Sequence, residues 1–189
     1  NLREDEYGGP IENRVRYHCE VMQSVRDAAP DIPVGVRISQ TKVNDLTYVW
    51  PGGDDDAKVI FSSIAATGID FFDCSAHLGL DHVFGTDHSL SGLARRYSGL
   101  PVFANGKLHD PALAERAIIE EEGDFVAIAK GALADPEWPQ KIAAGAEPHG
   151  FNPGMVMPFA TIDCNEAFWA ENPTGIPAAP IEARDGVES

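Results

Sequence analysis

The stretch "PVFANGKLHDPALAERAIIEEEGDFVAIAKG" (residues 101–131) contains two short apolar runs separated by a helical pattern. The runs "PVFANG" and "DFVAIAKG" are apolar at nearly every position, which is typical of strands buried on both faces. Between them, Asp110 and Pro111 supply a helix N-cap and a first helical position, and Gly123 ends the helix. The stretch therefore predicts a β-α-β unit with parallel strands.

The same alternation of helices and strands runs through the residues on either side of this unit. An apolar stripe at three-to-four spacing predicts the first helix, and β-branched or aromatic runs predict the strands. The predicted helices are 11–29, about 55–66, 91–98 and 112–123, and the predicted strands are 32–39, 69–75, 101–106 and 124–131. Short helical patterns follow around 136–145 and 163–171.

Repeated α-β alternation with buried strands indicates an α/β fold built on a parallel sheet. The candidates are a (β/α) barrel and a doubly wound open sheet. Four strands make half of the eight that a barrel needs, whereas an open sheet could be complete. The long loops follow the strand ends at Ser39 and Ser75, while the connections from helix to strand are short. Because a barrel builds its catalytic face from the strand-to-helix loops, the sequence favours half of a TIM (β/α)8 barrel.

The composition excludes several classes of function. The chain has 189 residues and a formal net charge of -16, so it repels phosphate backbones and anionic membranes, and we expect no nucleic-acid or membrane partner. The three cysteines are far apart and predict neither disulfides nor a cysteine metal site. The cytoplasm is the expected compartment. The chain starts at Asn1 without a Met, and we expect it to be a fragment of a longer protein.

Polar groups end three of the apolar runs and predict a local anion site. They are Arg37 in "VGVRIS", Asn105-Gly106-Lys107 after "PVFA", and Ala129-Lys130-Gly131 after "FVAI". The carboxyl ends of parallel strands converge, so these groups would surround one small volume. Glycine lets backbone N–H groups approach an anion closely, and a cation adds charge-assisted hydrogen bonds. The sequence therefore predicts a phosphate cradle at this edge of the sheet.

Each of these groups also has a structural interpretation. Asn-Gly is a common turn without any ligand. Lys130 could pair with a surface carboxylate, and a buried Arg37 needs either an anionic ligand or a structural carboxylate. The sequence alone leaves these alternatives open.

The long loop after the second strand is rich in His and Asp, which raises the question of a metal site. The spacing matches no ligand pattern, and solvated side chains are the commoner explanation, so no metal is predicted. Cys74 and Ser75 end a strand without a neighbouring base in the sequence, and strand-end packing is the favoured interpretation for both. The residues considered as metal ligands around this loop are His77, His82 and His88 with Asp73, Asp81 and Asp87.

The opening residues "NLREDEYGGPIENRVRY" resemble the Asn-x-Arg-x-Asp-x-Tyr-Gly-Gly-x-x-Glu-Asn-Arg signature of the Old Yellow Enzyme family of flavin-dependent ene-reductases. The resemblance continues through "VGVRIS", "PVFANGK" and "DFVAIAKGALADPEWP", to about residue 145. It implies the C-terminal half of a TIM barrel, FMN as cofactor, NAD(P)H as electron donor and an enone- or enal-type small molecule as substrate.

The resemblance also implies roles for particular residues. Arg37 matches an arginine that contacts the flavin ring and ribityl region, and Asn105, Gly106, Ala129 and Lys130 match the turns that hold the FMN phosphate. The family usually has Gly-Arg where this chain has Ala129-Lys130. Its catalytic His-x-x-Asn or His-x-x-His pair lies upstream of the signature, so no catalytic residue is expected in this chain.

Three segments follow from these arguments. Residues 1–150 are predicted to form the second half of an FMN-binding barrel, 151–176 a Pro-rich C-terminal extension packed on it, and 177–189 a disordered tail. As a whole enzyme the protein would move a hydride from NAD(P)H through flavin to the C=C bond of an α,β-unsaturated carbonyl compound. The alternative is an inactive half-barrel that binds a phosphate-bearing ligand or assembles with a partner N-terminal half or another copy.

Overall fold

The computed structural model describes residues 1–42 and 44–175. The chain divides into two compact units. The first unit contains Asn1–Leu108 and Ala112–Ala127, and the second contains His109–Pro111 and the residues from Ile128 onward. The predicted tail at 177–189 lies outside the described residues, and the predicted domain boundaries stay predictions.

The described residues form seven α-helices, one 3-10 helix and four strands. The strands are β1 (Gly35–Ser39), β2 (Phe71–Ser75), β3 (Val102–Asn105) and β4 (Phe125–Ala127). The helices are α1 (Ile11–Ala28), α2 (Gly53–Ala65), α3 (Leu90–Ser98), α4 (Pro111–Ile119), α5 (Lys130–Ala134), α6 (Trp138–Ala143) and α7 (Ile162–Glu171), and the 3-10 helix is Pro153–Val156. No helix among the described residues is both long enough and apolar enough to cross a membrane.

Two predicted elements end earlier than expected. The strand predicted over 124–131 stops at Ala127, because its last partner on β3 is Asn105 and the next residue, Gly106, turns away with φ of 140°. The helix predicted over 112–123 stops at Ile119, because Glu121 takes a positive φ of 58°. The N–H groups of Glu122 and Gly123 then both donate to the carbonyl of Ala117, which closes the helix.

The four strands form one parallel sheet in the order β1-β2-β3-β4. Side chains alternate between the faces of each strand. One face packs against the helices of the first unit through Val36, Ile38, Phe72, Cys74, Val102 and Ala104. The other face, which we call the inner face, carries Gly35, Arg37, Ser39, Phe71, Asp73, Ser75, Phe103, Asn105, Phe125 and Ala127. Strands that follow one another without a reversal of order favour the barrel over the doubly wound sheet.

The main hydrophobic core lies between the sheet and helices α1, α2 and α3. Phe61 of α2 and Phe72 of β2 are fully buried and meet edge to face, with ring centroids 5.3 Å apart. Burial of one such side chain contributes about 1.5–3 kcal/mol to stability. Packing on one face of the sheet therefore holds the strands and leaves the inner face for other groups.

Two equivalent aspartate contacts, which we call latches, connect the starts of neighbouring strands. The Asp70 carboxylate accepts a hydrogen bond from the backbone N–H of Val34 at 2.7 Å and pairs with Arg26 of α1. Asp124 does the same one unit later: its carboxylate accepts from the N–H of Val102 at 2.9 Å and pairs with Arg95 of α3 at 3.1 Å. Each latch thus joins a helix, the strand after it and the next strand.

The second unit contains α5, α6, the 3-10 helix and α7. Its best-connected polar group is the buried carboxylate of Asp135, which accepts from the Lys141 ammonium at 2.6 Å and from the backbone N–H of His149 at 2.9 Å. The Trp138 indole N–H donates to the carbonyl of His109 at 3.0 Å. These contacts hold the short helices of this unit together.

Candidate functional site

The inner face has an aromatic part near the starts of the strands. Phe71, Phe103 and Phe125 lie next to one another, with ring centroids 5.4 Å apart for the first pair and 4.8 Å for the second. A side chain at Gly35 would displace the Phe71 ring, so glycine allows that ring to lie over β1. Phe125 is 51% exposed, although it belongs to a strand of the sheet. The starts of the strands therefore carry an aromatic cluster on the inner face.

An ion pair lies beside these rings. Arg37 of β1 is directly opposite Asp73 of β2, and Nε of Arg37 is 3.6 Å from Oδ2 of Asp73. The Arg37 side chain is 56% exposed, so most of its guanidinium faces outward from the sheet. The other carboxylate oxygen of Asp73, Oδ1, is buried and has no hydrogen-bond partner. This is the only strand cation on the inner face among the described residues.

Small side chains, three of them polar, form the row at the carboxyl ends of the strands. Ser39, Ser75, Asn105 and Ala127 are in register across the four strands. The Asn105 amide donates to the carbonyl of Ala127 at 2.8 Å, and its Oδ1 lies 3.5 Å from the Ser75 hydroxyl. Asn105 therefore ties β3 to both neighbouring strands, which is the structural interpretation of this residue.

The turn after β3 is tightly enclosed. A Cβ on Gly106 would lie 2.6 Å from the carbonyl oxygen of Ala76 and 2.6 Å from the backbone N of Gly79. The carbonyl of Gly106 accepts a hydrogen bond from the N–H of Gly79 at 2.8 Å. Gly106 is thus needed for backbone packing as well as for its φ of 140°, and Lys107 follows with φ of 56°.

The remaining predicted phosphate residues, Ala129 and Lys130, lie in the second unit. Lys130 is the first residue of α5 instead of a strand end, and its side chain is exposed. Its ammonium lies 5.5 Å from the centroid of the Phe151 ring, within range of a cation–π contact. Arg37 and Asn105 belong to the sheet of the first unit, and Gly106 follows β3 directly.

Sequence reasoning missed groups that border Arg37. A cavity of about 400 Å³ beside β1 is lined by Arg37 and Ser39 and by Tyr48 and Trp50 of the loop after β1. The loop lacks any periodic signal, so its two aromatic residues could not be placed from the sequence. Asp73 could have been found, because strict alternation in "FFDCS" puts it on the same face as Arg37.

The His- and Asp-rich loop has a structural explanation. The ring of His88 lies 3.2 Å from Oε1 of Glu122, and the other oxygen of that carboxylate accepts from the backbone N–H and the hydroxyl of Ser89. Within residues 1–42 and 44–175, no three His, Cys, Asp or Glu side chains lie together as a metal site requires. Cys74 is buried, which raises the pKa of its thiol and keeps it protonated.

Comparison with known proteins identifies the fold's family. The profile of the NADH:flavin oxidoreductase / NADH oxidase family matches residues 1–148. The chain belongs to this family. The predicted resemblance to the Old Yellow Enzyme family is thereby confirmed.

Several members of the NADH:flavin oxidoreductase family are similar to this chain. An NADH oxidase of Thermoanaerobacter brockii is 28% identical over 158 residues, which cover 78% of this chain and 24% of the oxidase. A bilirubin reductase of Clostridium symbiosum is 29% identical over 167 residues, which cover 76% of this chain and 42% of the reductase. A solved Old Yellow Enzyme homologue from Zymomonas mobilis superposes with a TM-score of 0.66 at 22% identity, covering 78% of this chain and 41% of that one.

The share of each relative's length that this chain covers agrees with a sheet of only four strands. The chain spans between about a quarter and two fifths of the length of these relatives. Its four parallel strands with their helices are half of a TIM (β/α)8 barrel, as predicted. In such a barrel the face that carries Arg37 and the phenylalanines is the interior.

The groups on the inner face fit FMN. A flavin needs hydrogen-bond donors for its polar edge, and the Arg37 guanidinium provides them. A phosphate needs close approach to backbone, which a glycine such as Gly106 permits. The buried, unpartnered oxygen of Asp73 marks the ion pair as a place where polar groups are incompletely satisfied.

Proposed function

We propose that the protein carrying this chain binds FMN and uses NAD(P)H to reduce the C=C bond of an α,β-unsaturated carbonyl compound. The observation that carries this proposal is Arg37, a half-exposed cation on the interior face of a half-barrel of the NADH:flavin oxidoreductase family. No catalytic residue is assigned to this chain, and the location of the proton-donating and substrate-activating pair upstream stays a prediction. The cytoplasm stays the predicted compartment, and the preferred nicotinamide coenzyme is left open.

The chemistry that FMN supplies when bound is transfer of a hydride from NAD(P)H to the β-carbon of the substrate, while a proton reaches the α-carbon. The residues of this chain bind and orient the cofactor. Arg37 would donate its outward N–H groups to the flavin ring and ribityl region. These bonds are charge-assisted, each contributing about 1.5–3 kcal/mol.

In the first unit, the phosphate would be held by Asn105 and Gly106; the same role for Ala129 and Lys130 of the second unit stays a prediction. An amide has two N–H donors. One N–H of Asn105 holds the Ala127 carbonyl, so the other remains for a phosphate oxygen.

The test uses the full-length protein and the variant Arg37→Ala. We expect the wild type to purify yellow with bound FMN, to be bleached by NADPH without oxygen, and to regain its colour when 2-cyclohexen-1-one is added. Arg37→Ala should weaken FMN binding about 10- to 100-fold, because it removes one or more charge-assisted bonds.

The matched control is Arg116→Ala. Arg116 has a 55% exposed side chain, close to the 56% of Arg37, but it lies on the outside of α4 and pairs with Glu120 at 3.1 Å. This variant should keep its flavin. Unchanged flavin content in Arg37→Ala would refute the role of Arg37, and a colourless wild type would refute FMN binding itself.

A second candidate is a non-redox half-barrel that joins a partner half or another copy around a phosphate-bearing ligand. Exposed apolar side chains favour it: Tyr17, Val21 and Val25 on α1, and Ile119 and Phe125 toward the other end of the sheet. The anaerobic experiment separates the two functions, because only the oxidoreductase holds a flavin that NADPH bleaches.

A further inference from the structure

We propose that Asp73 is a positioning residue for Arg37, whose carboxylate fixes the guanidinium so that its remaining N–H groups face the flavin. This inference rests on the proposed function, in which Arg37 contacts that cofactor. It concerns a residue to which the family resemblance assigned no role.

The sheet itself places the two residues together. Arg37 and Asp73 are register partners on the neighbouring strands β1 and β2. Val36, Ile38, Phe72 and Cys74, their neighbours in sequence, face the helices, so both charged side chains emerge on the inner face. The distance of 3.6 Å between Nε and Oδ2 makes this an ion pair that is longer than a hydrogen bond.

The carboxylate is poised for a closer contact with the guanidinium. Oδ1 of Asp73 is buried without a donor, although the side chain as a whole is 25% exposed. A buried oxygen that lacks a donor is unfavourable, and arginine can satisfy two carboxylate oxygens at once with a pair of parallel N–H groups. Arg37 has five N–H donors. A two-bond fork to Asp73 therefore leaves three for a ligand.

The direction of the effect separates positioning from simple charge. Asp73 is negative, so its removal would strengthen the attraction of Arg37 for anionic FMN if only charge mattered. If the carboxylate orients Arg37, its removal lets the long side chain adopt other rotamers, and the flavin loses the preorganised donor. Positioning thus predicts weaker FMN binding, and charge alone predicts tighter binding.

The experiment measures FMN affinity by fluorescence quenching in the full-length protein with the variant Asp73→Asn, in both the wild-type and the Arg37→Ala background. We expect Asp73→Asn to weaken binding about tenfold on its own and to have no further effect when Arg37 is absent. Asp73→Glu keeps the carboxylate and should recover most of the lost affinity. Glu120→Gln, which removes the carboxylate of the exterior pair with Arg116, should change nothing.

A second measurement does not depend on flavin. The Arg37 Nε–H signal, identified by its loss in Arg37→Lys, is followed by NMR. We expect it to exchange with water more slowly than that of free arginine in the wild type, and to shift and exchange faster in Asp73→Asn.

The outcomes distinguish this inference from the proposed function. Tighter or unchanged FMN binding in Asp73→Asn, or an equal loss without Arg37, overturns positioning. If the wild type binds no FMN, the proposed function fails, and the Arg37 Nε–H signal alone decides on positioning. Slow exchange of this N–H with water that Asp73→Asn accelerates supports positioning, whereas a signal that Asp73→Asn leaves unchanged overturns it. If Asp73→Asn does not fold, an Arg37 signal in the wild type that exchanges like free arginine overturns the inference as well.

Discussion

Replacement of Glu122 tests how much a single buried carboxylate contributes to the first unit. The side chain of Glu122 is nearly inaccessible, and its Oε2 accepts hydrogen bonds from the N–H of Ser89 at 2.7 Å and from the Ser89 hydroxyl at 2.6 Å. Ser89 is itself fully buried, and its hydroxyl caps helix α3 by accepting from the N–H of Gly92. The carboxylate therefore holds the start of α3 to the segment before β4.

The magnitude follows from these two bonds. In Glu122→Gln an amide oxygen replaces the charged acceptor, and each bond weakens from a charge-assisted one to a neutral one, by about 1 kcal/mol. We expect a loss of about 2 kcal/mol in the free energy of unfolding. Glu122→Ala leaves the Ser89 N–H buried without an acceptor, while the Ser89 hydroxyl can turn to the Ser91 hydroxyl 3.0 Å away, and the loss should be about 3 kcal/mol.

The assay is denaturant unfolding of the full-length protein, with Glu121→Gln as the matched control. Glu121 is the adjacent residue, but its side chain is 75% exposed and contacts only Arg95, at 3.3 Å. Exposed pairs contribute little, so the control should lose less than about 1 kcal/mol. Equal effects of Glu121→Gln and Glu122→Gln would refute the reasoning, because burial would then make no difference.

Two further predictions concern backbone packing and pH. Gly106→Ala should destabilise the protein by more than about 2 kcal/mol, since its Cβ would meet backbone atoms at 2.6 Å. The control Gly99→Ala, whose Cβ would have nothing within 4 Å, should cost only about 1 kcal/mol. Equal free energies of unfolding for the two variants would contradict this prediction. Burial by itself raises the pKa of Asp135, but the Lys141 ammonium and backbone N–H donors outweigh it, so the pKa of Asp135 lies below its usual range. The contribution of Asp135 to stability is complete above about pH 4 and is lost as the pH falls further. The free energy of unfolding should therefore fall more between about pH 6 and pH 3 in the wild type than in Asp135→Asn, and an equal fall in both proteins would argue against this contribution.

The sequence predicted the sheet well because its signals are local. The apolar runs around Phe72, Val102 and Val126 identify strands, and the glycine and proline residues between them identify the ends of helices. Strand length was harder, because β4 stops where its partner β3 turns away at Gly106. Partner geometry of that kind is not visible in one segment of sequence.

The candidate site was predicted in part. Arg37 was identified because a cation within an apolar strand needs a partner, and the structure provides Asp73 as one. The tie between Asn105 and Ala127 was not anticipated, since it depends on register between strands 20 residues apart in the chain. The buried role of Glu122 was also missed, because in sequence it is one of three consecutive glutamates.

The latches formed by Asp70 and Asp124 bear on how this protein could change over evolution. Both fasten the sheet at the starts of the strands, through Val34 and Val102, and so at the opposite end from Ser39 and Asn105. Since the fastening and the ligand-facing rim are at different ends, residues in the loop after Ser39 can be exchanged or inserted with little loss of sheet stability. The loop can therefore vary while the same two aspartates keep the strands aligned.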